Sequence, residues 1–63
     1  MNTEYILVTI NTPEIRAAMN DLAGTELVAS QATFACWHWV NPSSGDLAAA
    51  QGLDGYKETV QLI

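Results

Sequence analysis

Positive charge is scarce in this chain: Arg16 and Lys57 are its only basic residues, against seven acids, for a formal net charge of −5 at pH 7. A surface of that sign repels a phosphate backbone, which sets direct nucleic-acid binding aside. Cysteine is scarcer still. Cys36 stands alone, which excludes an intrachain disulfide and fits a reducing, cytosolic setting. His38 is the only histidine, so a zinc site made of Cys and His has too few ligands. No long hydrophobic run is present. The apolar start, Tyr5 to Val8, is far shorter than a signal-peptide core or a membrane span and has no basic flank. The chain is therefore expected to be soluble, without a membrane segment, and used as translated from Met1.

What is present is the composition of a folded globule. With 49% hydrophobic and 14% charged residues over 63 positions, residues 1–63 form one domain. That length is near the lower limit at which one core offsets chain entropy without a disulfide or metal, so oligomerisation or a bound partner is a live option.

Tyr5-Ile-Leu-Val-Thr-Ile10 is rich in β-branched and apolar residues and reads as a first strand, halted by Asn11-Thr12-Pro13. Thr12 is a good N-cap, Pro13 suits the first helical position, and Glu14 complements the positive end of the helix dipole. Ile15, Ala18, Met19 and Leu22 then follow the i, i+3, i+4, i+7 spacing of one buried stripe, with Gly24 closing the helix. Thr25 to Ser30 reads as a short strand and Ser30-Gln31-Ala32 as a reversal. Thr33-Phe-Ala-Cys-Trp-His-Trp-Val40 is the central strand, ended by Asn41-Pro42. Ser43 or Ser44 caps a second helix with Asp46 near its start and Leu47, Ala50 and Leu53 facing the sheet. Lys57 to Ile63 alternates as an edge strand.

Each half, residues 3–31 and 32–63, runs strand, Asn, Pro, helix, Gly, strand, which gives the order βαββαβ. Two interlocking βαβ units of this order imply a four-stranded antiparallel sheet with both helices on one face, the α+β ferredoxin-like arrangement, with Tyr5–Ile10 beside Thr33–Val40 at its centre.

Alternation splits the central strand into Phe34, Cys36, His38 and Val40 on one face and Thr33, Ala35, Trp37 and Trp39 on the other. In one reading Ile6, Val8 and Ile10 join Cys36, His38 and Val40 against the helices, leaving Tyr5, Trp37 and Trp39 as an uncovered contact patch. In the other, the tryptophans point to the helices because so small a core needs their volume.

No catalytic set stands out. Cys36 and His38 share a face, but two ligands are not a metal site, and no third group is indicated to orient a Cys–His pair. Small tautomerases of this length use an N-terminal proline, and here the start is Met1-Asn2-Thr3. Acylphosphatases of the same element order need an arginine cradle after the first strand, whereas Asn11-Thr12-Pro13-Glu14 is acidic; heavy-metal-binding domains need paired cysteines there. Tyr5, Trp37 and Trp39 imitate the base-stacking aromatics of RNA-recognition motifs without the accompanying basic residues. No enzyme activity, cofactor or metal is expected.

Of the acids, Glu14 and Asp46 have a structural reason at helix starts; Asp21 and Asp54 lie toward helix C-termini, where negative charge opposes the dipole. In size, charge and absence of a catalytic set the chain resembles the inhibitors carried by phages and mobile elements, anti-CRISPR proteins among them. The resemblance implies a non-catalytic binder in the bacterial host cytoplasm that occludes a basic surface of a nucleic-acid-handling effector. Its contacts would be Glu14, Asp21, Glu26, Asp46, Asp54 and Glu58, with Tyr5, Trp37 and Trp39. The alternative expectation is a homodimeric ligand-binding or regulatory domain that uses its open sheet face as the interface.

Overall fold

The computed structural model describes residues 2–63, so the expectation attached to Met1 lies outside the described residues. Strands β1 (Glu4–Ile10), β2 (Thr25–Ser30), β3 (Phe34–Val40) and β4 (Tyr56–Gln61) alternate with helices α1 (Pro13–Asn20) and α2 (Ser44–Gln51) in the order β1-α1-β2-β3-α2-β4. Local chemistry sets the boundaries. The Thr12 hydroxyl accepts from the Ile15 N–H at 3.2 Å and the Ser43 hydroxyl from the Asp46 N–H at 3.1 Å, so each helix starts on a side-chain cap. At the far end of α1, the Thr25 hydroxyl donates to the Met19 carbonyl at 2.7 Å, satisfying an oxygen the helix leaves free.

Gly24 and Gly55 bring the chain from helix back to sheet at positive φ, +89° and +106°. The Gly24 carbonyl accepts from the Val40 N–H at 3.2 Å and the Gly55 carbonyl from the Ile10 N–H at 2.8 Å. The two halves thus close onto the two central strands by the same device.

The sheet order is β2-β3-β1-β4, with every neighbour antiparallel. The ferredoxin-like arrangement expected from the element order is corrected here. Both edge pairings carry a register shift, between Val8 and Thr9 against β4 and between Leu27 and Ala29 on β2. The fold is accordingly described by its own strand order and not by the ferredoxin-like name.

The core decides between the two readings of the central strand. Leu7, Ala35, Trp37 and Trp39 are fully buried with Ile15 and Met19 of α1 and Ala50 of α2, so both helices cover the tryptophan face. Ile6, Val8, Ile10, Cys36, His38 and Val40, set against the helices in the first of the two readings, occupy the opposite face, and the second reading, with the tryptophans toward the helices, is the one that holds. The reason is volume. α2, which reads Ser-Gly-Asp-Leu-Ala-Ala-Ala-Gln, fully buries only Ala50; bulky groups must come from the sheet over it to fill the layer at normal packing density. The indoles also find acceptors only on this side, Trp37 from Thr9 at 3.0 Å and Trp39 from the Ala23 carbonyl at 2.8 Å.

Candidate functional site

The β-ladders fix which residues share the sheet face away from the helices. Val60, Ile6, His38 and Glu26 form one row across it, and Glu58, Val8, Cys36 and Ala29 the next. Ile10 pairs with Phe34 at one end and Glu4 with Val40 at the other. No element of the described residues lies over these rows. Phe34 remains 41% exposed and Val60 49%, with the neighbouring Leu62 at 53%.

Within this apolar field one polar pair stands out. His38 Nε2 meets Glu4 Oε1 at 2.8 Å, and both side chains are about a quarter exposed. It is the one contact between a carboxylate and a basic side chain among the described residues. Neither residue was singled out as a contact from the sequence. The signal that could have found the pair is the register, since His38 and Glu4 become diagonal neighbours only once β1 and β3 pair antiparallel.

The expected contact residues do not converge on one spot. Glu14 is exposed in the first turn of α1, Asp21 is the exposed C-cap of that helix, and Asp54 is exposed in the turn before β4. Asp46 is half-buried in the first turn of α2. Glu26 and Glu58 lie on the open face, on the two edge strands, and only Glu26 is brought beside His38. Trp37 and Trp39 are fully buried and so are corrected from contact residues to core; Tyr5, on the same face, packs half-buried against them. Trp37 and Trp39 therefore cannot form the uncovered patch, and no apolar contact reaches a partner through them.

Two asparagines frame the site. Asn11 accepts from Arg16 Nε at 2.7 Å and donates to the Gln31 carbonyl through Nδ2 at 2.6 Å. Asn41, at φ 51°, accepts from the Thr3 N–H at 2.8 Å. Each follows a central strand and ties its end to an adjacent segment, Asn11 to Gln31 and Asn41 to Thr3. Arg16 is thereby engaged in a structural contact, and Lys57 is exposed at the β4 edge.

Among the described residues there is no enclosed pocket, and no three His, Cys, Asp or Glu side chains are grouped to hold a metal ion. No helix among them is long and apolar enough to cross a membrane. The fold and surface define a small α+β protein with two distinct outward features, scattered carboxylates and an apolar sheet face. No family model matches the chain, and no curated protein matches it either.

Proposed function

We propose that this protein is a non-catalytic, acidic inhibitor that binds a basic surface of a bacterial nucleic-acid-handling effector and occludes it, in the manner of anti-CRISPR proteins, within the host cytoplasm. The observation that carries the reading is the set of carboxylates Glu14, Asp21, Glu26, Asp46, Asp54 and Glu58, none of which has an ion-pair partner among the described residues. Asp21 and Asp54 weigh most, because they sit exposed near helix C-termini, where the backbone dipole gives them no local benefit. Carboxylates displayed this way compete with phosphates for Lys and Arg, through contacts that salt screens.

The test is DNA binding and cleavage by a panel of reconstituted RNA-guided nuclease complexes titrated with the purified protein. The reading expects stoichiometric inhibition of one of them, weakened by salt and lost in the Asp21→Lys/Asp54→Lys double variant. Undiminished activity of every complex at large molar excess, or inhibition that the double variant retains in full, overturns it.

A further inference from the structure

We propose that Asp54–Gly55 is a modification site, where the native chain converts Asp54 to isoaspartate through a succinimide in the turn that feeds β4. The proposal goes beyond the inhibitor reading and does not rest on it, since the step uses only the Asp54 carboxyl and the Gly55 nitrogen, whatever partner meets that carboxyl.

The chemistry exchanges water and nothing else. The Gly55 nitrogen attacks Asp54 Cγ, a Cγ–N bond forms, and the carboxyl hydroxyl leaves with the amide proton as water, closing a five-membered imide. Water then opens the ring at one of its two carbonyls. Opening at Cγ restores aspartate. Opening at the main-chain carbonyl carbon breaks its bond to the Gly55 nitrogen and leaves the chain running through Cβ and Cγ. The product has the mass of the parent, and no oxidant, reductant or second substrate takes part.

The step needs an attacking nitrogen that is unhindered and not already held, and a carboxyl free to turn onto it. Gly55 brings no side chain to block the approach and has the widest backbone freedom of any residue. Its N–H makes no hydrogen bond among the described residues, although its carbonyl accepts from the Ile10 N–H at 2.8 Å. The Asp54 side chain is exposed and has no ion-pair partner among the described residues.

The fold withdraws the other aspartates and asparagines from the same reaction. After Asp21 the Leu22 N–H donates to the Met19 carbonyl at 3.1 Å, and after Asp46 the Leu47 N–H donates to the Ser43 carbonyl at 2.9 Å. After Asn20 the Asp21 N–H is held by the Ala17 carbonyl at 3.1 Å, and after Asn2 the Thr3 N–H is held by Asn41 Oδ1 at 2.8 Å. Asn41 precedes Pro42, which has no N–H. Asn11 is pinned at both ends of its amide, by Arg16 and by the Gln31 carbonyl. Asp54 alone combines a free side chain with a free nitrogen beside it.

The product lengthens the main chain by one carbon at a place with no slack. Asp54 and Gly55 are the middle of a turn closed by the Tyr56 N–H on the Leu53 carbonyl at 3.1 Å. Gly55 stands at φ +106° so close to Ile10 that even a Cβ there would run into that side chain. An extra carbon just before Gly55 therefore displaces its carbonyl from the Ile10 N–H and loosens the join between β1 and the start of β4.

The experiment ages the full native chain at mildly acidic pH, because the hydroxyl leaves from the protonated carboxyl, with a urea-unfolded sample alongside to set the time. Each sample is then unfolded and digested with an endoproteinase that cuts before aspartate and not before isoaspartate. The expected result in the native sample is progressive loss of the cut before Asp54 at unchanged mass, with the cuts before Asp21 and Asp46 retained. Asp54→Glu, which would have to close a larger ring, should gain no isoaspartate in titration with an isoaspartate-specific methyltransferase. Full cutting before Asp54 in the aged native protein, equal loss at Asp21 or Asp46, or equal isoaspartate in Asp54→Glu overturns the proposal. In the isolated product the Ile10 amide should exchange hydrogen faster than in the parent, and unchanged protection there overturns the loosened join. The nuclease assay on freshly prepared protein reads the inhibitor proposal separately, so either can fail alone.

Discussion

The indole N–H of Trp37 donates to the Thr9 hydroxyl at 3.0 Å, with both residues fully buried between the sheet and the helices. The Thr9 hydroxyl in turn donates to the Ile10 carbonyl at 2.9 Å, so this buried hydroxyl is used both as donor and as acceptor. Replacing Thr9 by valine keeps the shape and removes the acceptor, leaving an unsatisfied indole N–H in the core. We expect Thr9→Val to lower unfolding stability by about 1–3 kcal/mol in urea denaturation. In a Trp37→Phe background the same change should cost clearly less, because the stranded donor is gone.

The glycines separate by backbone and by space. A Cβ on Gly24, at φ +89°, would stand 2.6 Å from the Val40 carbonyl oxygen, and one on Gly55, at φ +106°, would run into the Ile10 side chain. Gly24→Ala and Gly55→Ala should each cost at least about 1–2 kcal/mol from the backbone alone. Gly45, inside α2 with nothing within 4 Å, should behave in reverse, with Gly45→Ala gaining about 0.5–1 kcal/mol. Thermal melts of the three variants give the order directly.

Contact at 2.8 Å between His38 and Glu4 does not imply a large contribution to monomer stability. Both side chains keep about a quarter of their surface in water, so the contact is worth about 0.2–1 kcal/mol, as such part-exposed pairs are. A double-mutant cycle with Glu4→Gln and His38→Gln in urea denaturation should return a coupling in that range.

Asp21 and Asp54 offer a test that separates contact from scaffold. Asp21 is the C-cap of α1 and Asp54 follows α2 after Gly52 and Leu53, so lysine at either place faces the negative end of a helix. Asp21→Lys and Asp54→Lys should leave stability unchanged or raise it by up to about 0.5 kcal/mol in chemical denaturation. Loss of inhibition in the same proteins would then be loss of contact, not of fold.

The sequence by itself determined the order and type of all six elements, because each is written in local chemistry. Thr12 and Pro13 open α1, Ser43 opens α2, Gly24 and Gly55 supply the left-handed closures, and β-branched runs mark the strands. It also determined that Ala35, Trp37 and Trp39 share one face of β3 and Phe34, Cys36, His38 and Val40 the other, since alternation is a property of the extended chain. Which of those faces goes inside was decided only in three dimensions. Both are apolar enough to be buried, so the period of two carries no preference. The choice rests on α2, which buries only Ala50, leaving space for indoles, and on acceptors that arrive from far along the chain, Thr9 from 28 residues away and the Ala23 carbonyl from 16. The Glu4–His38 pair, separated by 34 residues, was hidden for the same reason: register is a relation between strands, and no single stretch of sequence contains it.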